Sequence, residues 1–266
     1  MPSSVQTRAL VSLQPTEAHI WQLCSELPIA AGLLDAYGQL LSRKEHEQHQ
    51  RFVFATGRRD YLLTRALVRT TLSRYVPVDP RVWRFEKNIY GKPFIAYPRD
   101  IPPLSFSLSH TSGLIVCLVA LHREVGIDVE NVEQPGELVE IANHFFSPQE
   151  ADALRALPQR EQRLRFFEYW TLKEAYLKAR GLGLSLPLRQ FSFHLEARQP
   201  AKLSFDPRLP EDPIGWQFFQ HRPTPRHLLA AALRHSADPP LKILMRQTLP
   251  FVFDTSVGVY VCGLLE

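Results

Sequence analysis

The pattern of apolar and polar residues predicts a protein of helices and short strands. Residues 40–75 carry apolar side chains at helical spacings, which predicts a long helix that ends before Pro77. Residues 104–108 alternate between apolar and polar side chains, as in a strand with one polar face. Strands are expected in this half at 82–85, 94–97, 104–108 and 114–121.

The second half of the chain repeats this order. Ser147 and Glu150 have the form of a helix cap with its capping-box glutamate, and a second long helix is predicted up to a stop at Gly181. Further strands are expected at 191–195, 215–220 and 228–233. The pattern predicts an α+β fold of two related lobes, 1–122 and 123–266.

Composition narrows the class of protein. The chain has 266 residues, of which 45% are apolar and 22% charged, as in an ordinary globular protein. No apolar run approaches the roughly 20 residues of a membrane helix, and the N-terminus lacks the apolar core of a secretion signal. Cys24, Cys117 and Cys262 are too far apart for a disulfide framework or a zinc site. We therefore expect a cytoplasmic protein with no membrane association.

The formal net charge of +4 arises partly from the stretch 42–75. Basic residues outnumber acidic ones there: Arg43, Lys44, Arg51, Arg58, Arg59, Arg65, Arg69 and Arg74 stand against Glu45, Glu47 and Asp60. Such an excess suits phosphate groups or an acidic protein partner, and it equally suits a solvated helix face. Because no aromatic platform, zinc finger or glycine-rich phosphate loop accompanies it, nucleic-acid binding is not expected.

Two carboxylates share one face of a predicted strand. Asp128 and Glu130 alternate with Ile127 and Val129, so both acidic side chains point to the same side. They are roughly 6–7 Å apart along the strand, and they repel each other unless a cation lies between them. A hard divalent cation such as Mg²⁺ suits such a pair. The alternative is a solvated strand face.

A third carboxylate interrupts the apolar face of the second long helix. Phe167, Trp170, Glu174 and Leu177 follow one another at steps of three, four and three residues. A carboxylate among aromatic side chains is costly unless it binds a cation or a hydrogen-bond donor. Glu174 can therefore complete a metal site, or it can form an i,i+4 ion pair with Lys178.

Two turns offer groups that can hold phosphate. Ser109 and His110, which follow the predicted strand 104–108, present a hydroxyl and an imidazole. Lys92 lies in the turn Tyr-Gly-Lys-Pro at 90–93. Each of these side chains can equally be a solvated turn residue.

Taken in order, these segments resemble the Sfp-type (surfactin-type) 4′-phosphopantetheinyl transferases. The matching motifs are Tyr-Gly-Lys-Pro at 90–93, Phe-Ser-Leu-Ser-His at 106–110, Gly-Ile-Asp-Val-Glu at 126–130, Phe-Phe-Ser-Pro-Gln-Glu at 145–150, and Trp-Thr-Leu-Lys-Glu-Ala-Tyr-Leu-Lys at 170–178, followed by Gly181 and Gly183. The resemblance spans roughly 40–233. The tail beyond about residue 234 matches no motif.

The resemblance implies two pseudo-symmetric lobes, each a long helix on a small, mostly antiparallel sheet. Coenzyme A and Mg²⁺, or Mn²⁺ in its place, would bind in the cleft between them. It implies that a monomer transfers the 4′-phosphopantetheine arm of coenzyme A to a serine of an apo acyl or peptidyl carrier protein. The second product would be 3′,5′-adenosine bisphosphate.

The resemblance also implies roles for single residues. The metal ligands would be Asp128, Glu130 and Glu174. The phosphate groups of coenzyme A would be contacted by Lys92, Ser109, His110, Lys173 and Lys178. The catalytic set would be Asp128, Lys178 and the two candidate bases for the carrier serine, Glu174 and Glu150.

One departure from the family pattern concerns the 3′-phosphate of coenzyme A. Family members often carry a basic residue just after the aromatic pair that matches Phe52 and Phe54, and this chain has Thr56 there. Arg58 and Arg59 follow soon after, and either one is a candidate for this contact.

Two other classes of function are compatible with parts of the sequence. A non-catalytic module that binds coenzyme A or a carrier protein would be expected to have a broken carboxylate triad. A metal-dependent phosphodiesterase or nuclease also clusters carboxylates around Mg²⁺, but it would act without a carrier protein.

Overall fold

The computed structural model of the chain describes residues 9–136, 138–196, 199–209, 212–235 and 239–262. Its α-helices are α1 (Ala31–Gly38), α2 (Arg43–Gln50), α3 (Ala55–Leu72), α4 (Leu138–Phe145), α5 (Pro148–Arg155) and α6 (Gln159–Arg180). Its strands are β1 (Glu17–Cys24), β2 (Arg84–Lys87), β3 (Pro93–Tyr97), β4 (Leu104–Thr111), β5 (Leu114–Leu121), β6 (Val125–Asn131), β7 (Phe191–His194), β8 (Lys202–Phe205), β9 (Trp216–Thr224), β10 (His227–Arg234), β11 (Lys242–Leu249) and β12 (Phe253–Val261). Over these residues, no helix combines the length and the apolarity needed to cross a membrane.

The two larger sheets pack face to face. One has the strand order β12-β11-β1-β5-β4 and the other β6-β10-β9. Apolar side chains of both sheets fill the space between them. The helix α3 covers the outer face of the first sheet, and α6 covers the outer face of the second. The result is a mixed α/β fold with four layers, in the order helix, sheet, sheet, helix.

The helix boundaries predicted in the second half are confirmed. Ser147 and Glu150 form a reciprocal capping box, with the Ser147 N–H donating to the Glu150 carboxylate at 2.9 Å. The helix α6 ends because Gly181 adopts a left-handed conformation with φ of 64°. Glycine reaches this conformation without the steric cost that a Cβ would add.

The stretch 40–75 is largely helical, as predicted, but it contains two helices rather than one long helix. Ser42 caps α2 through a second capping box with Glu45, and Phe54 is in extended conformation just before α3 begins. The helix α2 buries no residue, whereas α3 buries an apolar face against the first sheet. Ion pairs from Glu45 of α2 to Arg65 and Arg69 of α3 hold the two helices together.

The tail beyond residue 234, for which the sequence offered no motif, pairs with the first sheet. Strand β11 pairs in parallel with β1, and β12 continues the same sheet. Ile243 and Met245 of β11 are fully buried in the apolar layer between the sheets. The tail therefore completes the first sheet, next to a strand β1 that the sequence did not predict. The symmetry of the two lobes stays a prediction, since the sheets have five and three strands.

Side-chain hydroxyls join the two sheets where β4 runs beside β6. Backbone N–H groups of β6 donate to hydroxyls of β4 in three successive pairs: Ile127 to Ser107 (3.1 Å), Val129 to Ser109 (3.4 Å) and Asn131 to Thr111 (3.3 Å). The polar face predicted for the strand at 104–108 therefore contacts protein rather than water. Strand β4 continues to Thr111, so Ser109 and His110 lie in the strand and not in a loop after it.

A buried ion pair anchors α5 to α6. The Lys173 ammonium donates to the Glu150 carboxylate at 2.8 Å and to the carbonyls of Leu188 and Phe191, both at 2.7 Å. Glu150 also accepts from the Phe193 N–H at 2.8 Å, and both charged side chains are 1% exposed. Neither residue can contact a phosphate or a substrate serine from this position. The predicted roles of Lys173 in cofactor binding and of Glu150 as a base are therefore wrong.

We predict that Lys173→Met destabilises the fold by about 3–5 kcal/mol, because it leaves the Glu150 charge buried without a partner. The double variant Lys173→Met/Glu150→Gln should recover part of this loss. Chemical denaturation of the three proteins measures both effects. If Lys173→Met is as stable as the wild type but no longer binds coenzyme A, Lys173 contacts the cofactor and the structural role is wrong.

Candidate active site between the sheets and the helix α6

Three of the motifs singled out in the sequence line one cavity of about 270 Å³. The turn at 90–93 between β2 and β3 forms one wall, and residues 106–108 of β4 form another. Glu174 and Lys178 of α6, with the glycine turn that follows this helix, line the rest. The cavity therefore lies where the C-terminal half of α6 meets β4 and the β2–β3 turn.

The backbone of α6 approaches β6 very closely at Gly126. A Cβ atom on this residue would lie 1.9 Å from the Ala175 carbonyl oxygen and 2.3 Å from the Ala179 nitrogen. Only glycine fits such a contact between a strand and a helix backbone. Asp128 lies two residues further on the same strand face, so this approach brings its carboxylate against α6 near Lys178.

Asp128 accepts two hydrogen bonds at one carboxylate oxygen and none at the other. Its Oδ1 receives the Lys178 ammonium at 2.6 Å and the Ser109 hydroxyl at 2.9 Å. Its Oδ2 is buried and has no hydrogen-bond partner among the residues that the structure describes. Lys178 thus forms its ion pair with Asp128, not the i,i+4 pair with Glu174 that was the alternative from the sequence.

The other two carboxylates have raised pKa values. Burial, and after it the charge of Asp128, raises the pKa of Glu130 to about 7. The same two causes, in the same order, raise the pKa of Glu174, while Lys178 acts in the opposite direction. Glu130 and Glu174 are therefore each close enough to Asp128 to be affected by its charge.

These carboxylates fit a divalent cation that a bound phosphate group helps to hold. Within the described part of the chain, no group of three His, Cys, Asp or Glu side chains is arranged to hold a metal ion by itself. Mg²⁺, however, usually keeps several waters and binds through one or two carboxylates together with substrate phosphates. The unpartnered Oδ2 of Asp128 is a free ligand for such an ion. A closed protein cage is not needed for this kind of site.

Lys92 connects the β2–β3 turn to the second half of the chain. Its ammonium donates to the carbonyls of Ala179 at 2.6 Å and Val125 at 3.3 Å. Beside it, the Asn88 amide donates to the Gly181 carbonyl at 2.7 Å. Burial lowers the pKa of Lys92 to about 8. The side chain thus supplies a positive charge to the cavity wall.

His110 and Arg59 lie on the other side of β4, towards α3. Neighbouring residues of a strand point to opposite faces, so Ser109 contacts Asp128 while His110 is exposed on the far side. Burial raises the pKa of Asp60, and the charges of His110 and Arg59 lower it, which shows that both lie close to Asp60. Neither side chain lines the 270 Å³ cavity.

The two candidate arginines for the 3′-phosphate differ in their contacts. Arg58 is exposed and donates to the Phe52 carbonyl at 2.9 Å. Arg59 is half-buried and donates to the carbonyls of Ser25 and Leu27 at 3.3 and 2.8 Å. Arg59 and His110 both affect the pKa of Asp60, so both lie close to that residue.

Three residues of the site were not predicted from the sequence. Gln134 donates to the Glu130 carboxylate at 2.8 Å, and Trp170 lies close enough to Glu130 to lower its pKa slightly against the effect of burial. Asn88 fixes the β2–β3 turn on Gly181. The position of Trp170 one helical turn before Glu174 was a usable signal for a shared site. Gln134 lies in the loop after β6, where no periodic pattern indicates a contact.

Comparison with known proteins identifies the family. A family model described as 4′-phosphopantetheinyl transferase, N-terminal, matches residues 28–122, and one described as 4′-phosphopantetheinyl transferase superfamily matches residues 124–232. The 4′-phosphopantetheinyl transferase HetI of Nostoc sp. is 34% identical over 197 residues, which is 74% of this chain and 82% of that protein. The 4′-phosphopantetheinyl transferase Sfp of Bacillus subtilis is 32% identical over 176 residues, which is 66% of this chain and 76% of that protein.

A crystal structure of the holo-[acyl-carrier-protein] synthase of Thermotoga maritima matches with 21% identity and a TM-score of 0.35. It covers 44% of this chain and 66% of that chain, a likeness too low to inform the site. The two family models, by contrast, cover all the motifs that line the cavity. This chain therefore belongs to the Sfp-type 4′-phosphopantetheinyl transferases and is an enzyme of that family.

Proposed function

We propose that this enzyme transfers the 4′-phosphopantetheine arm of coenzyme A to a serine of an apo acyl or peptidyl carrier protein and releases 3′,5′-adenosine bisphosphate. The observation that carries the proposal is the cluster of Asp128, Glu130, Glu174 and Lys178 beside a cavity lined by the family motifs. A group of three carboxylates with one paired ammonium suits a magnesium ion that is bound to a pyrophosphate.

Asp128, Glu130 and Glu174 would hold the Mg²⁺ ion, or Mn²⁺ in its place. The free Oδ2 of Asp128 and the raised pKa values of the two glutamates support this assignment. When bound, the ion would neutralise negative charge that develops on the leaving phosphate. Lys178, held on Asp128 and Ser109, adds a positive charge at the same place.

The remaining cations would bind the other phosphate oxygens of coenzyme A. Lys92 lines the cavity. The Ser109 hydroxyl donates its one proton to Asp128 and accepts from Lys178, so it would hold these two side chains in place rather than bind a phosphate itself. His110 and Arg59 together suit a phosphate on the α3 side of β4, and we assign the 3′-phosphate to this pair. The exposed Arg58 is the second candidate for that contact.

Glu174 is the base that we assign to the carrier serine. The serine oxygen attacks the phosphorus that carries the pantetheine arm, and the bond to the adenosine bisphosphate oxygen breaks. The serine proton would pass to the Glu174 carboxylate, directly or through a water molecule. Glu150 cannot serve, because its carboxylate is buried on Lys173.

The reaction predicts a mass gain of one phosphopantetheine on an apo carrier protein incubated with the enzyme, coenzyme A and Mg²⁺. Chelation should abolish this gain and Mn²⁺ should restore it, because the carboxylates need a cation. Asp128→Asn should remove the activity at every metal concentration. Intact-protein mass spectrometry measures the gain. If fatty-acid, polyketide and peptide-synthetase carriers all remain unmodified, the proposal is wrong.

Glu174→Gln should lower kcat by roughly two or more orders of magnitude, because the amide cannot accept the serine proton. Glu168→Gln is the matched control, since Glu168 lies on the same helix but pairs with Arg165 at 2.8 Å, away from the cavity. Single-turnover rates with saturating Mg²⁺ and coenzyme A separate the two variants. If Glu174→Gln and Glu168→Gln react at equal rates, Glu174 is not the base.

The KM for coenzyme A should rise as the pH increases through about 8. Burial lowers the pKa of Lys92 from the usual lysine value to about 8. The Lys92 ammonium is therefore present below pH 8 and is lost above it. Lys92→Arg should keep a flat KM up to pH 9, because a guanidinium does not titrate there. Steady-state kinetics from pH 7 to 9 test this, and a wild-type KM without pH dependence would contradict the assignment of Lys92.

A further inference from the structure

The loop that follows β6 carries a side chain directed at one of the proposed metal ligands. Gln134 Nε2 donates to Glu130 Oε2 at 2.8 Å and lies 3.3 Å from the Thr111 hydroxyl oxygen. The same hydroxyl accepts the Asn131 N–H at 3.3 Å. Thus one amide connects the Glu130 carboxylate to the end of β4. No family motif in the sequence includes Gln134.

The backbone of this loop is held in place from α6. The Arg163 guanidinium donates to the carbonyls of Val132 and Gln134, and it lies over the Phe167 ring at 5.7 Å. The loop also closes on itself, because the Gln134 N–H donates to the Asn131 carbonyl at 3.1 Å. Gln134 is exposed, so these backbone contacts, rather than burial, determine where its amide points.

We propose that Gln134 is a positioning residue for the metal centre: its amide binds one oxygen of Glu130 and so directs the other oxygen to the cation. Arg163 acts through Gln134 by fixing the loop. This inference rests on the proposed function, in which Glu130 is a metal ligand. A carboxylate that is held by a neighbour loses less conformational freedom when it binds an ion, and outer-shell partners of this kind typically contribute 10–100-fold to metal affinity.

The test is Mn²⁺ binding to the full-length enzyme in the presence of coenzyme A, followed by the electron paramagnetic resonance signal of free Mn²⁺. Gln134→Met keeps the length of the side chain and removes the donor, and we expect its Mn²⁺ Kd to rise about tenfold. Gln134→Ala should give a similar rise. Gln162→Ala is the control, since this half-buried glutamine on α6 donates to the Leu157 carbonyl at 2.9 Å and not to a carboxylate of the proposed metal centre.

Activity measurements separate positioning from a merely structural role. In Gln134→Met, the Mn²⁺ concentration for half-maximal rate should rise with the Kd, while kcat at saturating metal stays at the wild-type value. Arg163→Met should weaken Mn²⁺ binding in the same direction. If Arg163 acts through Gln134, the double variant should bind Mn²⁺ no more weakly than Gln134→Met alone.

An unchanged Kd in both Gln134 variants would overturn the inference. A lower kcat at saturating metal with an unchanged Kd would overturn it as well. If the wild type binds Mn²⁺ and Asp128→Asn abolishes binding while Gln134→Met binds normally, the inference fails and the proposed function stands. If the wild type binds no Mn²⁺ with coenzyme A present, both fail.

Discussion

The close contact between α6 and β6 at Gly126 is the constraint on which the site depends. Any side chain at this position would displace the helix, because even a Cβ atom would lie 1.9 Å from the Ala175 carbonyl. With glycine, the strand that carries Asp128 and Glu130 lies directly against the helix that carries Glu174 and Lys178. The spacing of the four charged side chains therefore follows from backbone packing, and loop movements are not needed to assemble them.

This packing has an electrostatic cost that ligand binding can relieve. Asp128, Glu130 and Glu174 lie near one another, and Lys178 pairs with Asp128 alone. Burial raises the pKa of Glu130 and Glu174. In the absence of a cation the protein can lessen the repulsion only by keeping protons on these groups. A metal bound with a pyrophosphate would displace those protons. Metal binding should thus be tighter at higher pH, with the strongest change near the pKa of Glu130.

The sequence was informative where a local pattern has one structural meaning. The capping box at Ser147 and the stop at Gly181 predicted the ends of α5 and α6 correctly, because such signals act within a few residues. The position of β11 was not predictable in this way. Its parallel pairing with β1 joins residues more than 200 positions apart in the chain. The pairing buries Ile243 and Met245 between the two sheets, a contact that no local sequence pattern indicates. The contact between Gln134 and Glu130 was not predictable for a similar reason. It depends on the conformation of a loop whose backbone is bound by Arg163 of α6.

The error on Lys173 could have been avoided by helix geometry alone. Lys173 and Lys178 are five residues apart on α6, which places them about 140° apart around the axis, whereas Glu174 and Lys178 differ by only about 40°. One ligand therefore cannot contact both lysines, although both belong to the same motif. The helix instead carries two ion pairs on different sides, Lys173 with Glu150 of α5 and Lys178 with Asp128 of β6. The first pair is sealed in the core and holds the helix in place, and the second remains partly exposed at the cavity, where it is available to a phosphate.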